Sequence, residues 1–157
     1  MSLVIDILRH GEAEPSSPDG DGGRALSDSG AARVHDLART LAASGWSPDR
    51  VFTSPLKRAR QTAEIVAAAL PAPPPLETLD ELLPEGDPAA LSACLQARAR
   101  GERHVLLVSH MPLVSHLCGF LSGRTEAFLP ADLVRLECAD GLARGRAVWR
   151  GFPARGD

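Results

Sequence analysis

Lysine is nearly absent from this chain, and there is no excess of basic charge. Lys57 is the only lysine, so arginine carries almost all of the positive charge. The 17 lysine and arginine residues are outnumbered by 20 acidic ones, which gives a formal net charge of -3 and a pI of about 5.9. Because nucleic-acid-binding domains have a basic excess, we do not expect nucleic acid as a partner.

No uninterrupted apolar run approaches the length of a membrane span, although 44% of the residues are hydrophobic. The first residues also lack the basic start, apolar middle and small-residue cleavage site of a signal peptide. The apolar run at residues 3–8 is too short for either segment and contains Asp6. We therefore expect no membrane association and a cytoplasmic location.

Cysteine is scarce and shows no pattern of paired use. Cys94, Cys118 and Cys138 are odd in number, widely spaced and set in apolar segments. They lack the spacing of zinc ligands. Such cysteines are typical of small buried apolar side chains in a reducing cytoplasm. The cysteines therefore indicate no zinc site, and no other pattern in the sequence predicts a cofactor.

The most informative stretch is residues 5–12, where a short apolar run ends abruptly in Arg-His-Gly. The apolar run at residues 3–8 predicts a strand buried between helices, so Arg9 and His10 follow its carboxyl end. Ligands bind at that edge of open α/β sheets. A guanidinium suits phosphate, and an imidazole switches readily between nucleophile, base and acid near neutral pH. An Arg-His pair is also common at the start of a solvated loop. The rest of the sequence is therefore needed to distinguish a phosphate site from such a loop.

Strand and helix signals alternate along the 157 residues, which we interpret as a single domain over residues 1–157. Alternation of this kind predicts an α/β three-layer sandwich with a mostly parallel central sheet and helices on both faces. Two final strands joined at Asp140-Gly141 predict a hairpin that adds an antiparallel strand. Helices are predicted to begin at Ser27, at Ser54-Pro55, at Asp87-Pro88 and at Pro112. The predicted strands are residues 3–8, 50–53, 76–79, 104–109, 132–138 and 143–152.

Several groups suited to phosphate chemistry follow strands and so converge on one edge of a parallel sheet. They are Arg9 with His10, Arg58 in the first helical turn after the second strand, Glu81 after the third, and His110 after the fourth. Such a set suits metal-free phosphoryl transfer, in which one imidazole attacks phosphorus and cationic groups neutralise the oxygens. A carboxylic acid protonates the leaving group, and water then hydrolyses the phosphohistidine.

Arg24 is the one basic residue of a Gly/Pro/Ser/Asp-rich loop at residues 11–24. Long loops in compact domains are usually functional or disordered. A solvated charge and a role at the phosphate site are equally open for this residue.

With these residues in place, the chain resembles the histidine phosphatase superfamily, whose signature is Leu/Met-Arg-His-Gly. Within it, the chain is most similar to the small SixA-type phosphohistidine phosphatases. The resemblance extends from residue 3 to about residue 150 and implies a phosphoglycerate mutase-like fold. The matching stretches are residues 8–12, 24–27, 54–63, 79–82, 85–87 and 108–114.

The resemblance also implies roles for the candidate residues. His10 is the nucleophile that becomes phosphorylated, and Arg9, Arg58 and His110 hold the phosphoryl group. Glu81 falls where larger relatives keep their proton donor, and Arg24 matches a position near the site.

The chain lacks the long insertions that cap the site in mutases and sugar-phosphate phosphatases. It has Ala13-Glu14 where mutases carry Ser/Thr and Asn, which disfavours a phosphoglycerate mutase. An open site favours a bulky, protein-borne phosphoryl donor, although small phosphomonoesters would also enter it.

Three functions remain open at this point. The chain is expected to be a SixA-like protein phosphohistidine phosphatase, or a small-molecule phosphomonoesterase of the same superfamily, or a catalytically weak phosphate- or phosphoprotein-binding module. The last is disfavoured because both histidines and both core arginines are present. A metal-dependent hydrolase is also disfavoured, because the sequence offers no carboxylate-rich ligand set. We expect a monomer, since no uncovered apolar helix is evident.

Overall fold

A six-stranded sheet with four helices packed against it forms the part of the chain that the structure describes. The structure is a computed structural model, and it describes residues 2–138 and, as backbone only, residues 147–151. The strands are β1 (Leu3–Arg9), β2 (Arg50–Thr53), β3 (Leu76–Thr78), β4 (His104–Ser109), β5 (Leu133–Cys138) and β6 (Ala147–Gly151). The helices are α1 (Asp28–Ala43), α2 (Lys57–Ala68), α3 (Pro88–Arg98) and α4 (Leu113–Ser122).

The sheet is mostly parallel, as the alternation of elements predicts. Its strand order is β3-β2-β4-β1-β5-β6. The first four of these strands run parallel, whereas β5 is antiparallel to β1 and to β6. The predicted terminal hairpin pair is therefore confirmed, while its predicted turn at Asp140-Gly141 lies outside the described residues.

Helices cover both faces of the sheet. Successive strand residues point to opposite sides, so each strand contributes side chains to both of the resulting cores. Ile5 and Ile7 of β1 join a buried cluster that includes Leu91 of α3 and Leu117 of α4. Leu8, on the other face of β1, belongs to a second cluster with residues of α1 and α2. The predicted three-layer α/β fold is thus confirmed, with two helices on each face.

Helix α1 begins where the sequence predicts. The hydroxyl of Ser27 caps its N-terminus by accepting a hydrogen bond from the Gly30 amide at 3.0 Å. Gly45, with φ of +79°, follows its end. Gly30 sits so close to the preceding loop that a Cβ there would lie 2.0 Å from the carbonyl oxygen of Glu12. The first turn of α1 therefore packs directly against the segment that follows His10.

Helix α2 does not begin at Ser54-Pro55 as predicted. It starts at Lys57 with Leu56 in the cap position, and Ser54 and Pro55 form the turn before it. The hydroxyl of Ser54 accepts a hydrogen bond from the Leu56 amide and also contacts His110, both within the turn that precedes α2. Pro112 likewise precedes α4 as its cap residue rather than opening the first turn.

The register of the central strands brings their carboxyl ends to one edge. Arg9 pairs with Ser109 across β1 and β4, so His10 and His110 are the first residues beyond two neighbouring strand ends. Thr53, the last residue of β2, pairs with Val108, which places Ser54 beside them. Over the described residues, none of the helices has both the length and the apolar character to cross a membrane.

Candidate active site

A cleft of about 400 Å³ opens at this carboxyl edge of the sheet. Its polar lining comes from the strand ends and from the loop after β1. Its apolar lining comes from the segments that flank β5 and α4 and from the loop before α3. The lining residues are Arg9, His10, Glu12, Ala13, Asp21, Arg24, Arg58, Pro84, Glu85, His110, Met111 and Pro130.

His10 is buried at the base of the cleft, with 7% of its surface exposed. Its Nδ1 lies 2.6 Å from the carbonyl oxygen of Gly11, which can only accept a hydrogen bond. The proton of the neutral ring therefore resides on Nδ1, and Nε2 keeps its lone pair. Burial lowers the pKa of His10 to about 4, and the nearby guanidinium of Arg58 adds to that effect. His10 is thus a neutral imidazole with a nucleophilic Nε2 at neutral pH.

The turn that holds His10 is tied to helix α2 through one buried threonine. The amide of Gly11 donates to the hydroxyl of Thr62 at 3.1 Å, and that hydroxyl donates to the carbonyl of Arg58 at 2.8 Å. Thr62 therefore fixes the position of the His10 turn relative to the helix that carries Arg58.

His110 faces His10 across the cleft, with 4.9 Å between the ring centroids. Its Nε2 lies 2.7 Å from the hydroxyl oxygen of Ser54, and its Nδ1 is buried with no hydrogen-bond partner among the described residues. Burial lowers the pKa of His110 to about 3, with the proximity of His10 and Arg58 as further causes. Two uncharged imidazoles therefore stand side by side in the cleft.

Arg9 is held by a loop that precedes β5. Its Nη1 donates to the carbonyl of Phe128 at 2.7 Å, and the amide of Ala131 donates to the carbonyls of Arg9 and His10, both at 3.1 Å. Burial lowers the pKa of Arg9, and the carboxylate of Asp132 acts in the opposite direction. Within the described part of the chain, the buried Nε of Arg9 has no hydrogen-bond partner.

Arg58 enters the cleft from the first turn of α2 and is 4% exposed. Its Nη1 donates to the Asp21 carbonyl at 3.0 Å, and its Nη2 lies 3.3 Å from the Asp21 carboxylate. The same carboxylate binds Nε of Arg24 at 2.9 Å. The buried Nε of Arg58 has no partner in residues 2–138. The site therefore holds unused guanidinium donors next to the two histidines, as an oxyanion site requires.

Glu81 is the one predicted site residue that the structure does not bring into the cleft. It lies in a short 3₁₀ turn, Asp80–Leu82, where Leu82 is fully buried. Glu81 is close enough to Cys94 to help raise the pKa of that thiol, although burial is the larger cause. The chain returns to the cleft at Pro84 and Glu85. The carboxylate that this segment contributes to the rim of the cleft is therefore that of Glu85 and not that of Glu81.

The sequence analysis did not identify Asp21, Ser54, Thr62 and Glu85 as site residues. Asp21 lies in a loop without periodicity, so no pattern placed it against Arg58. Ser54, Thr62 and Glu85 lie in stretches that resemble the family, but no role at the site was predicted for them, and Ser54 was interpreted as a helix cap. Over residues 2–138, no group of three or more His, Cys, Asp or Glu side chains is arranged to hold a metal ion.

Comparison with known proteins agrees with this arrangement. Residues 5–85 match the family model of the histidine phosphatase superfamily, branch 1. The phosphohistidine phosphatase SixA of Escherichia coli (strain K12) is 34% identical over 153 residues, which cover 96% of this chain and 94% of the relative. A solved structure of the protein histidine phosphatase SixA complexed with tungstate superposes with a TM-score of 0.86 at 31% identity, and covers 94% of each chain.

The fold extends to more distant proteins. The structure of mycobacterial glucosyl-3-phosphoglycerate phosphatase covers 96% of this chain with a TM-score of 0.75 at 17% identity, a level that establishes the fold alone. On the family match and the 34% identical relative, the chain belongs to the histidine phosphatase superfamily. The resemblance drawn from the Arg-His-Gly motif is therefore confirmed.

Proposed function

We propose that this protein is a metal-independent phosphatase that removes phosphoryl groups from phosphohistidine on other proteins through a phosphohistidine intermediate at His10. Two neutral, buried imidazoles lie beside the Nε atoms of Arg9 and Arg58, which have no hydrogen-bond partner among the described residues, and this observation carries the proposal. A phosphoryl group placed among them would satisfy these donors and bring phosphorus to Nε2 of His10.

The reaction divides into two displacements at phosphorus. In the first, the lone pair of His10 Nε2 forms a P–N bond while the bond from phosphorus to the substrate nitrogen breaks. The guanidiniums of Arg9 and Arg58 and an N–H of His110 stabilise the charge on the phosphoryl oxygens. In the second, water attacks phosphorus, the His10 P–N bond breaks, and inorganic phosphate leaves the restored imidazole.

The choice of a protein-borne donor rests on the leaving group and on the relatives. An imidazole leaving from phosphohistidine needs less protonation than an alkoxide, and Glu81 does not line the cleft. The 34% identical relative is named as a phosphohistidine phosphatase. The apolar rim residues Met111 and Pro130 would contact the protein surface around the phosphorylated histidine.

A small-molecule phosphomonoesterase is the second candidate. The carboxylates of Glu12, Asp21 and Glu85 line the cleft and are the groups that could protonate an alkoxide leaving group. A catalytically weak phosphate- or phosphoprotein-binding module is the third candidate. In such a module the two histidines and the arginines of the cleft would only bind the phosphate.

The deciding experiment compares hydrolysis of a phosphohistidine-bearing carrier domain with hydrolysis of a small phosphomonoester, both with chelator present. We expect the wild type to prefer the phosphohistidine and His10→Ala to be inactive while still folded by circular dichroism. A preference for the ester would support the second candidate, and inactivity on both substrates with retained phosphate binding would support the third. Activity that survives in His10→Ala, or that chelator abolishes, would overturn the mechanism.

The proposed setting is a cytoplasmic monomer that meets phosphorylated proteins. The three free thiols of Cys94, Cys118 and Cys138 suit a reducing compartment, and burial raises the pKa of Cys118 to about 12 and that of Cys138 to about 11. Sedimentation of the purified protein tests the monomer.

A further inference from the structure

Ser54 is a fully buried serine that the proposed chemistry does not use. It is the first residue after β2, and its hydroxyl oxygen lies 2.7 Å from Nε2 of His110. The same oxygen accepts a hydrogen bond from the Leu56 amide at 3.2 Å. The contact with His110 thus joins a buried hydroxyl to the ring that faces His10.

The direction of the hydrogen bond between Ser54 and His110 follows from counting donors and acceptors. A serine hydroxyl has one hydrogen to donate, and a neutral imidazole has one N–H and one acceptor nitrogen. Within the described residues, the Ser54 hydroxyl has no acceptor other than Nε2 of His110. If Nε2 carried the ring proton, the buried hydroxyl hydrogen would be left without a partner, which is costly. The hydroxyl therefore donates to Nε2.

The proton of His110 then resides on Nδ1. This nitrogen is buried and has no partner in residues 2–138, so it is an unsatisfied donor in a ring that lines the cleft. We propose that Ser54 is a positioning residue that keeps the proton of His110 on Nδ1, so that a neutral imidazole offers an N–H to the phosphoryl oxygens. The inference rests on the proposed function in one respect, namely that the ligand of His110 is a phosphoryl group.

The two histidines would then share a tautomer but differ in task because their partners differ. At His10 an acceptor, the Gly11 carbonyl, binds Nδ1–H and leaves Nε2 as the nucleophile. At His110 a donor, the Ser54 hydroxyl, occupies Nε2 and leaves Nδ1–H for the substrate. A neutral donor also suits a cleft that already contains three arginines, because a cationic imidazolium there would be repelled by them.

The first test is the tautomer of His110 in the free protein, measured by ¹⁵N chemical shifts of the ring and assigned by loss of the signal in His110→Asn. We expect Nδ1–H in the wild type and in Ser54→Thr, which keeps the hydroxyl. In Ser54→Ala the Nε2–H form should gain population. The matched control is Ser109→Ala, which removes another buried hydroxyl, one bonded to the Leu82 carbonyl, and should leave the His110 tautomer unchanged.

The second test is kinetic and uses the same variants at neutral pH. We expect Ser54→Ala to lose about tenfold in kcat/KM and in affinity for inorganic phosphate, the effect of one hydrogen bond, with activity restored in Ser54→Thr. Thermal unfolding of each variant separates this loss from a loss of fold.

An Nε2–H tautomer in the wild type would overturn the inference, and so would an unchanged tautomer in a folded Ser54→Ala. Failure of the proposed function is distinguishable, because a protein that hydrolyses neither substrate would still report the tautomer. Unchanged phosphate affinity in Ser54→Ala, despite a changed tautomer, would remove the role of Nδ1–H in binding.

Discussion

At the scale of single residues, the site depends on keeping two histidines uncharged beside several arginines. Burial is the main cause, and it lowers the pKa of His10 to about 4 and that of His110 to about 3. A cationic His10 would have no lone pair at Nε2 for attack on phosphorus. The low pKa values therefore keep the Nε2 lone pair of His10 available well into the acid range.

We expect NMR titration to show both rings neutral from pH 8 to below pH 5, with the C–H signals of His10 moving near pH 4. The fraction of neutral His10 should then not limit kcat/KM over that range, once the ionisation of the substrate is taken into account. Exposed His35 serves as the internal control in the same spectra. A His10 titration near pH 6.5 would contradict the role of burial.

Asp21 competes for the donors that a phosphoryl group would use. Its carboxylate lies 3.3 Å from Nη2 of Arg58 and 2.9 Å from Nε of Arg24, and the Arg58 charge is the main cause of its lowered pKa. We expect Asp21→Asn to bind inorganic phosphate up to about fivefold more tightly, because the Asp21 carboxylate is exposed and its ion pairs with Arg58 and Arg24 are therefore weak. Product-inhibition constants measure this change, with Asp19→Asn from the same loop as control. Weaker phosphate binding in Asp21→Asn would show that the carboxylate organises the site.

At the scale of elements, the close approach of α1 to the loop after His10 supports the cleft. The loop contributes Glu12 and Ala13 to the cleft, and the Glu12 carbonyl accepts a hydrogen bond from the Ser27 amide at 3.0 Å. A side chain at position 30 would collide with that carbonyl, so glycine is required there by space rather than by backbone angle.

Gly30→Ala should therefore lower the free energy of unfolding by about 1–3 kcal/mol, as overpacked sites do, despite the better helix propensity of alanine. We also expect a higher KM for the phosphohistidine substrate, because the loop must move away from α1. Urea unfolding and steady-state kinetics measure the two effects. Ser29→Ala, at the preceding exposed position, is the control and should change neither the free energy of unfolding nor KM. If Gly30→Ala also changed neither quantity, the loop could move away from α1 without cost.

The elements themselves were largely predictable, because strand and helix signals are local. The predicted strand at residues 104–109 matches β4 at both ends, and its core at residues 105–108 is apolar because the strand is buried on both faces. The start of α2 was misplaced because Ser54-Pro55 has the pattern of a helix start, whereas in the structure it forms the preceding turn, in which the Ser54 hydroxyl contacts His110. That contact joins residues far apart in sequence, and no local pattern records it.

The site was predictable to the extent that its residues follow strands. Arg9, His10, Arg58 and His110 converge as the parallel topology requires. Glu81 also follows a strand but turns away, because a 3₁₀ turn buries Leu82 and rotates its neighbour out of the cleft. The roles of these residues, and the extent of the single domain over residues 1–157, stay predictions.

At the scale of the whole molecule, a second polar cluster lies far from the cleft. Asp6 is fully buried in β1 and accepts hydrogen bonds from Nε of Arg135 at 2.8 Å and from the Trp46 indole at 2.7 Å, and its carboxylate also contacts His104. His104 begins β4, so this cluster lies toward the edge opposite His110. Burial would raise the pKa of Asp6, but these hydrogen bonds lower it overall.

Asp6→Ala should lower the free energy of unfolding by about 3 kcal/mol or more, because it leaves buried donors without their carboxylate. We expect kcat/KM to change by less than about twofold, since distant sites contribute independently. Chemical unfolding and kinetics on the same preparation test this pair of outcomes. Asp36→Asn, which removes an exposed ion pair with Arg39, is the control for charge. A large loss of activity in a folded Asp6→Ala would reveal coupling between the two edges.

The same groups make the fold sensitive to acid. Unfolded histidine binds a proton near pH 6.5, whereas folded His10 and His110 do so near pH 4 and 3, so the unfolded chain binds more protons between these values. The free energy of unfolding should therefore decrease as pH falls from 6.5 toward 3. The lowered folded pKa of Asp6 decreases it further as pH falls below 3.8, because the unfolded carboxyl is then protonated before the folded one. Urea midpoints against pH should show a shallower decrease for His10→Gln than for the wild type.

The pairing of Arg9 with Ser109 also has a consequence for the newly made chain. His10 and His110 are 100 residues apart in sequence (110 minus 10), yet they become neighbours only when β1 and β4 pair. During synthesis His10 therefore emerges long before the residues that complete its surroundings. The cleft cannot form on a partly made or partly folded chain, and the return of oxyanion binding after denaturation should report the closure of this long-range strand pair.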